Sequence, residues 1–414
     1  MKKISLVLAF AMAMSFSSPV VFADAGSDAL AEIASLKTRL AELEAKVAAQ
    51  PAATTAGGPV LALPSMLEGV GVSGFVDATY NYNFNEVGTM TNVGRVFDKH
   101  PNSFNLNAAE VVFQKSVSAD SRAGFRTDLY FGNDSEVIGS AGLGSTADEF
   151  DLEQAYVELL IPTSTVFSGM NDVDLKLGKF VTPLGAEVIE SKDNWNATRG
   201  LLFGYAIPFT HTGAYASYTF NNGWDMAGGV VNGWDIVDDN NTGKTFLGHF
   251  GFNNIELPNE QSLTISLNGV AGPEVAADDN SYRYVGDVVV IYKTPWGWTF
   301  MYNFDYGYEE DLVAADDAAT WDGHAGYARY DFNDKWSISV RGEIFDDEDG
   351  VRVVAGTPAE YFEVTGTLEY RPWKNTITRL ELRHDDADQN VYNDENGAFT
   401  DTQTTITGEV IFIF

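Results

Sequence analysis

From Gly69 to its last residue, the chain alternates short turns with long polar loops, and this order restricts the possible folds more than any other feature. The short connections are 116–121, 162–172, 221–223, 256–260, 293–297, 333–334 and 371–375; the long ones are 85–102, 132–150, 181–205, 236–244, 272–281, 309–321, 346–358 and 385–402. A soluble sandwich has no reason to sort its loops by length, whereas outer-membrane barrels keep their periplasmic turns short. We therefore predict an all-β fold, a transmembrane antiparallel β-barrel of about 16 strands, spanning residues 69–414.

The segments between these connections have one apolar and one polar face. At the C-terminus, Ile406, Val410, Phe412 and Phe414 share a face, while Glu409 points the other way. This period of two is typical of a strand. A terminal Phe needs a partner because chain ends fray unless they are tied down, and a barrel closed in lipid provides both a neighbouring strand and an apolar environment. We expect outer-membrane lipid to cover this face and the barrel-assembly machinery to engage the last strand.

The N-terminal part predicts export and a separate helix. Residues 1–23 resemble a signal peptide, with Lys2 and Lys3 before an apolar stretch that is shorter than the roughly 20 residues of a spanning helix. Residues 24–49 repeat apolar positions every three or four residues, which predicts an amphipathic coiled-coil helix, and residues 50–68 form a linker. So short a coil is marginal alone and needs partners or tethering. It could join copies of the chain into a homo-oligomer, with a trimer as the expected state, or touch the cell wall; a spacer helix is the alternative.

Composition excludes several classes of function. The formal net charge of -34 argues against nucleic acid as a partner, and the absence of cysteine excludes disulfides, thiol catalysis and thiolate metal sites. The histidines, His100, His211, His249, His324 and His384, have no metal-binding spacing, so we expect neither a catalytic metal nor a cofactor. The acidic segment Asp346 to Gly350 could bind divalent ions loosely, although a solvated loop is the simpler interpretation.

Tryptophan residues flank the proposed connections. Five of them, together with the terminal Phe, are predicted to lie at the membrane interface on the turn side: Trp224, Trp296, Trp298, Trp336, Trp373 and Phe414. Trp195, Trp234 and Trp321 lie in or next to long loops and would form the ring at the opposite boundary. A chance association of Trp with turns is the alternative.

The third long loop, 181–205, is the candidate constriction. Its length and its position after the fifth strand are similar to those of a loop that narrows the lumen in other large barrels, and by this analogy we expect it to fold into the lumen and to filter solutes by charge. Its polar residues are Glu187, Glu190, Lys192, Asp193, Asn194 and Arg199. The alternative is an outer loop that lies over the rim.

Basic residues also occupy inward positions on the predicted strands. They are Arg122, Arg126, Lys176, Arg329, Arg341, Arg379 and Arg383. Opposite an acidic loop, these side chains would set up a transverse field across the pore. Equally, they could pair along the wall with inward carboxylates, namely Asp128, Asp331, Glu343 and Glu381.

Three stretches resemble a known family. Gly178 to Glu190, Asn194 to Asn196 and Arg199 to Gly213 are similar to segments of the OmpL-like β-barrel porins. The resemblance implies a pore in the bacterial outer membrane and carries no catalytic residues with it. We therefore expect a protein that is not an enzyme.

Two functions fit these expectations. The first is a water-filled channel for passive diffusion of small hydrophilic solutes and ions, weakly cation-selective because its outer loops are acidic. The second is a structural anchor or adhesin in which the coiled coil links the membrane to the cell wall.

Overall fold

The computed structural model describes residues 69–143, 149–163, 171–314 and 317–414. The predicted signal peptide 1–23, coiled-coil helix 24–49 and linker 50–68 lie outside these described residues. Within the described ranges, no helix is both long and apolar enough to cross a membrane.

Sixteen antiparallel strands form a closed barrel, which confirms the predicted fold and strand number. Its strands are β1 Gly71–Asn83, β2 Ser103–Lys115, β3 Ala123–Phe131, β4 Phe150–Ile161, β5 Val173–Val181, β6 Thr210–Thr219, β7 Trp224–Val231, β8 Thr245–Leu257, β9 Gln261–Pro273, β10 Tyr282–Lys293, β11 Trp298–Ala314, β12 Asp317–Asn333, β13 Trp336–Asp347, β14 Ala359–Tyr370, β15 Thr376–Ala387 and β18 Thr402–Ile413. Two short strands, β16 Tyr392–Asn393 and β17 Phe399–Thr400, form a separate hairpin in the last long loop. A single helical turn, α1 Ser135–Ile138, follows β3.

The barrel closes where the last strand pairs with the first. In the β1–β18 ladder, Phe75 lies opposite Ile413 and Asn83 opposite Thr405. The backbone N–H of Phe414 donates to the carbonyl of Gly74 at 2.9 Å, and the N–H of Gly74 donates back at 3.0 Å. Gly74 is needed here because a Cβ would lie 2.1 Å from the backbone carbonyl oxygen of Glu110, and 2.7 Å from Cζ of the Phe414 ring. The terminal Phe is therefore tied down, as the sequence predicts.

The strands turn their apolar side chains outward and their polar side chains inward. In β14, Val364 and Leu368 are each 41% exposed, whereas Glu363 and Thr365 are fully buried. A soluble sheet protein would show the opposite distribution, because its apolar faces would meet inside. This reversal is expected of a barrel whose outer surface contacts lipid.

The short turns fall where the sequence predicts them, but one long loop does not. Residues 309–321 belong mostly to β11 and β12, which pair up to Ala314 and Asp317. Arg283 pairs with Glu309 at 2.7 Å, so this acidic segment is stabilised as a strand. Gly307, opposite Trp321, leaves room for the indole, since a Cβ would lie 1.9 Å from it.

Two of the three tryptophans next to the long loops, Trp195 and Trp321, are not at a membrane boundary, which corrects the prediction for them. Trp321 is 1% exposed, and its Nε1 donates to the carbonyl of Ala206 at 3.1 Å. The ring of Trp195 packs edge-on against Tyr327, on the inner wall. These indoles are held inside because a loop entering the lumen gives them apolar contacts and hydrogen-bond acceptors.

The turn-side aromatic residues are exposed. Their exposed fractions range from 39% for Trp298 to 70% for Trp373, with Trp224, Trp296, Trp336 and Phe414 between these values. Their contact with the lipid boundary stays a prediction.

Candidate functional site: a loop folded into the barrel

The long connection between β5 and β6, residues 182–209, is called L3 here, and it lies inside the barrel. It contains a 3-10 turn, Ser191–Asp193, and a π-helical turn, Leu202–Ala206. Polar groups of L3 bond to inward-facing residues near the middle of β13, β14 and β15. L3 therefore crosses the lumen at mid-height instead of lying over the rim.

Apolar residues hold one part of L3 against the wall. Leu184, Leu202, Phe203 and Ile207 are each at most 4% exposed and belong to one buried cluster. That cluster also contains the inward-facing side chains of Leu247, Val270 and Val285 on β8, β9 and β10. Burial of this apolar surface favours the inward position of the loop.

A second loop covers this apolar part of L3. Residues 84–102, called L1, contribute Phe97, whose ring stacks on Phe203 with centroids 5.8 Å apart. The same ring meets Phe209 edge-on at 5.5 Å. Gly204 permits close approach of L1, because a Cβ there would lie 2.6 Å from Cγ2 of Val96.

Arg341 of β13 is the centre of the polar anchor. Its Nε lies 2.7 Å from Oε1 of Glu363, and its Nη1 lies 2.6 Å from Oε1 of Glu187 in L3. The same Nη1 donates to the carbonyl of Thr198 at 2.6 Å. One fully buried guanidinium thus joins the wall to two points of the loop.

Two arginines of β15 extend this anchor. Arg379 donates to the carbonyl of Asn194 at 2.6 Å and pairs with Glu409 at 2.9 Å. Arg383 donates to the carbonyl of Arg199 at 2.6 Å and pairs with Asp385 at 2.8 Å. Each arginine therefore bonds a loop carbonyl while a wall carboxylate balances its charge.

Two wall carboxylates bind backbone amides of L3. Glu381 accepts from the N–H of Ala197 at 2.6 Å and from the N–H of Thr198 at 3.0 Å. Glu343 accepts from the N–H of Leu201. Gly200 allows this approach, because a Cβ would lie 2.1 Å from Oε1 of Glu343. The pairing alternative therefore does not hold for these two glutamates, which cap loop amides, although Arg341, Arg379 and Arg383 do pair with other wall carboxylates.

Six predicted pore-lining residues are buried in the anchor. For the four arginines this corrects the assignment to the open lumen, whereas Glu187 and Asn194 also border the open cavity beside L3. Each is at most 6% exposed: Glu187, Asn194, Arg199, Arg341, Arg379 and Arg383. A buried charge requires a close partner, so these side chains serve the attachment of L3. Wall carboxylates pair with Arg341, Arg379 and Arg383, so these three side chains contribute little net charge to a field across the pore. The transverse field itself stays a prediction.

The remaining predicted residues are at least partly exposed. Lys192 and Asp193 have side chains that are 21% and 59% exposed; Glu190 is half-buried. On the wall, Arg126 pairs with Asp128 at 2.8 Å and Arg329 with Asp331 at 3.0 Å, as the pairing alternative predicts.

The last two basic residues lie apart from L3. Arg122 bonds Asp172 in a turn at 2.7 Å. The Nζ of Lys176 lies 5.1 Å from the ring centroid of Tyr156. Neither contact involves the loop.

An open cavity lies on the turn side of L3. It measures about 360 Å³ and is bounded by L3 and by β10, β11 and β12. Its charged lining residues include Asp193, Lys293, Arg329 and Asp331. This face of L3 is therefore polar and open, in contrast to the packed face towards L1.

The loop after β3, residues 132–149, is called L2, and it also contacts L3. Oδ2 of Asp134 lies 3.5 Å from Nη2 of Arg199. Burial raises the pKa of Asp134 to about 8, although the guanidinium of Arg199 acts in the opposite direction. The Arg199 guanidinium also lies 4.5 Å from the ring centroid of Phe97.

The loop between β13 and β14, residues 348–358, is called L7, and it holds the π-helical turn of L3. Nε of Arg352 donates to the carbonyl of Tyr205 at 2.7 Å, and its guanidinium lies 4.8 Å from the ring of Trp321. Burial and the nearby charge of Arg283 lower the pKa of Arg352 to about 10, so it stays charged at neutral pH.

Sequence reasoning did not find several members of this anchor. They are Arg95, Arg352, Glu363, Glu369 and Glu409. The alternation of polar and apolar residues places the glutamates on the inner face, so their orientation was readable. Their contacts with L3 or with the arginines cannot be read from the sequence, because no local pattern specifies which part of the wall a loop contacts.

Comparisons with known proteins agree with this architecture. A family model described as "Putative beta-barrel porin-2, OmpL-like" matches residues 69–414. A search of the curated proteins found no match.

Solved outer-membrane proteins share the fold. OprB of Pseudomonas putida has 11% identity and a TM-score of 0.56, covering 84% of this chain and 95% of its own. OmpT of Vibrio cholerae has 10% identity and a TM-score of 0.53, covering 83% and 97%. An anion-selective porin from Comamonas acidovorans has 10% identity and a TM-score of 0.53, covering 83% and 99%. At such low identity these likenesses establish the fold alone.

The family match spans the whole barrel, including L3 and the walls that hold it. The closed barrel, its outward apolar face and this match place the protein in the bacterial outer membrane. The chain belongs to the OmpL-like family of β-barrel porins.

Proposed function

We propose that the protein is a channel for passive diffusion of small hydrophilic solutes and ions. The observation that carries the proposal is the anchored loop: L3 enters a sixteen-stranded barrel, and one of its faces borders an open polar cavity. Barrels of this strand number enclose an aqueous lumen, whereas about eight strands are filled by side chains. A fixed loop at mid-height would set the size limit of the channel.

The exposed charges favour weak cation selectivity. Around the cavity, the side chains of Asp193 and Asp331 are 59% and 51% exposed, whereas that of Arg329 is 15% exposed. Arg329 is also held by Glu369 at 3.0 Å. Lys293 is the exposed positive charge on this cavity. Ions passing the loop would therefore meet two accessible carboxylates against one exposed ammonium group, and the acidic outer loops act in the same direction.

Planar-bilayer recordings across a KCl gradient test both parts of the proposal. We expect ion conductance and a reversal potential with the sign of potassium preference. Replacing both Asp193 and Asp331 with asparagine should lower the permeability ratio of K⁺ to Cl⁻ by about twofold, because it removes accessible negative charge near the loop.

Asp120→Asn, in an exposed turn between β2 and β3, serves as the control and should leave the ratio unchanged. An anion preference of the unmodified protein would reject the charge argument. A complete lack of conductance would reject the channel and favour the structural anchor.

We also propose that the protein assembles as a homo-oligomer, with a trimer as the expected state. One solved structure of OmpT from Vibrio cholerae is described as a trimer form, with 9% identity and a TM-score of 0.53, covering 83% of this chain and 99% of its own. The helix expected over residues 24–49 would add a coiled-coil contact between copies.

Deleting residues 24–58 should lower the mass of the assembly in detergent, because the coiled-coil contact between copies would be lost. Light scattering with correction for bound detergent measures that mass. An unchanged number of copies in the assembly would show that the barrel alone determines the oligomeric state.

A further inference from the structure

Three carboxylates from three elements meet on the inner wall beside L3. They are Glu110 of β2, Glu153 of β4 and Glu190 of L3. One oxygen of each lies within 4.8 Å of the other two. Glu110 and Glu153 are 1% and 0% exposed, while Glu190 is half-buried.

The buried oxygens of this cluster lack partners. Neither carboxylate oxygen of Glu153, nor Oε1 of Glu110, has a hydrogen-bond partner among the described residues. The neighbouring buried carboxylates differ, because Asp128 is bonded by Arg126 and Gln154, and Asp151 by Lys179. A charged carboxylate that is buried without a partner costs several kcal/mol, so oxygens collected in this way must be neutralised, either by protons or by a cation.

The nearby basic side chains are already engaged. Nζ of Lys192 bonds Asp193 at 2.5 Å and lies 5.3 Å from the ring centroid of Phe75. Nε of Arg126 bonds Asp128 at 2.8 Å. Across the parts of the chain that the structure describes, no basic side chain forms an ion pair with the three glutamates.

We propose that Glu110, Glu153 and Glu190 bind a divalent cation, with calcium preferred. Calcium is bound by carboxylate oxygens at about 2.3–2.6 Å, so two oxygens on one ion can be no more than about 5 Å apart. The observed spacing satisfies this limit. Calcium accepts irregular sets of six to eight oxygens, including waters, whereas magnesium requires a near-ideal octahedron.

The cation would fasten the side of L3 that faces β2 and β4. Elsewhere on the wall, L3 is bound by Arg341 of β13 and by Arg379 and Arg383 of β15. Near the cluster, the hydroxyl of Ser191 donates to Oδ2 of Asp77 at 2.8 Å. This site goes beyond the proposed channel function and does not depend on it, because it concerns ion binding by the folded barrel.

Equilibrium dialysis of the full chain in detergent against radioactive calcium tests the proposal. Potassium chloride at about 0.15 M screens the exposed acidic loops. We expect one tight site per chain, and a calcium affinity at least tenfold lower for Glu110→Gln and for Glu153→Gln. Glu256→Gln, at the exposed end of β8, is the matched control and should bind like the unmodified protein.

Thermal unfolding gives a second readout. Calcium should raise the melting temperature of the unmodified protein but not that of Glu153→Gln. With a chelator present, Glu153→Gln should be at least as stable as the unmodified protein, because it removes repulsion among the three carboxylates. If Glu153→Gln does not fold, Glu190→Gln on the half-buried loop provides the same comparison.

Three results would overturn the proposal. The first is the absence of a tight calcium site near neutral pH, which would mean that the carboxyls hold protons. The second is unchanged calcium binding by the glutamine variants. The third is magnesium binding as tight as calcium binding, which would reject the stated preference.

Discussion

Replacing Arg341 with alanine is expected to destabilise the barrel by about 3–5 kcal/mol and to free part of L3. The guanidinium is fully buried and joins Glu363 on the wall to Glu187 and the Thr198 carbonyl in the loop. Its removal would leave two carboxylates buried without their main partner. Arg341→Lys should recover only part of the stability, because an ammonium group cannot reproduce the planar array of donors.

Urea-induced unfolding in detergent measures the stability of the barrel. Single-channel recording measures the size and the noise of the conductance, which report on the position of L3. The alanine variant should show larger and noisier conductance, because a loosened L3 no longer holds one position. Arg122→Ala is the matched control, since Arg122 pairs with Asp172 in an exposed turn at 2.7 Å and should contribute about 0–1 kcal/mol. Equal stability of the Arg341 and Arg122 variants would contradict the anchoring role of Arg341.

The strands could be predicted from sequence because their signal is local. A period of two, read with the order of short and long connections, specifies which side chains face outward. The segment 309–321 was predicted as a loop because its acidic residues suggest solvent. Its strand pairing depends on Arg283 and on the glycine opposite Trp321, and these contacts join different strands.

The site was only partly predictable. Sequence identified the charged residues of L3 and of the wall, but burial changes what they do. Arg341 and Glu187 are 154 positions apart, and Arg379 and Ser191 are 188 positions apart. Alternation tells which side chains point inward, yet it does not tell whether water or a folded loop meets them there. That information resides in the tertiary contacts of L3.

Replacing Val364 with arginine should cost about 2–4 kcal/mol of stability in a lipid bilayer, because the change places a charge against hydrocarbon. Val364 lies in the middle of β14 and is 41% exposed, between Gly342 on β13 and His384 on β15. In a soluble sheet this position would face water, and arginine would be tolerated there. The substitution therefore tests whether lipid covers the apolar face of the barrel.

Folding into lipid vesicles from urea, followed by gel mobility without heating, measures this effect. Asn375→Arg, in the exposed turn between β14 and β15, adds the same side chain near the boundary, where the expected cost is about 0–1 kcal/mol. Because both variants carry the same new side chain, the difference in their stabilities reports the effect of depth in the bilayer. If Val364→Arg folded as well as Asn375→Arg, the outward apolar residues would not be in contact with hydrocarbon, and the transmembrane assignment would have to be abandoned.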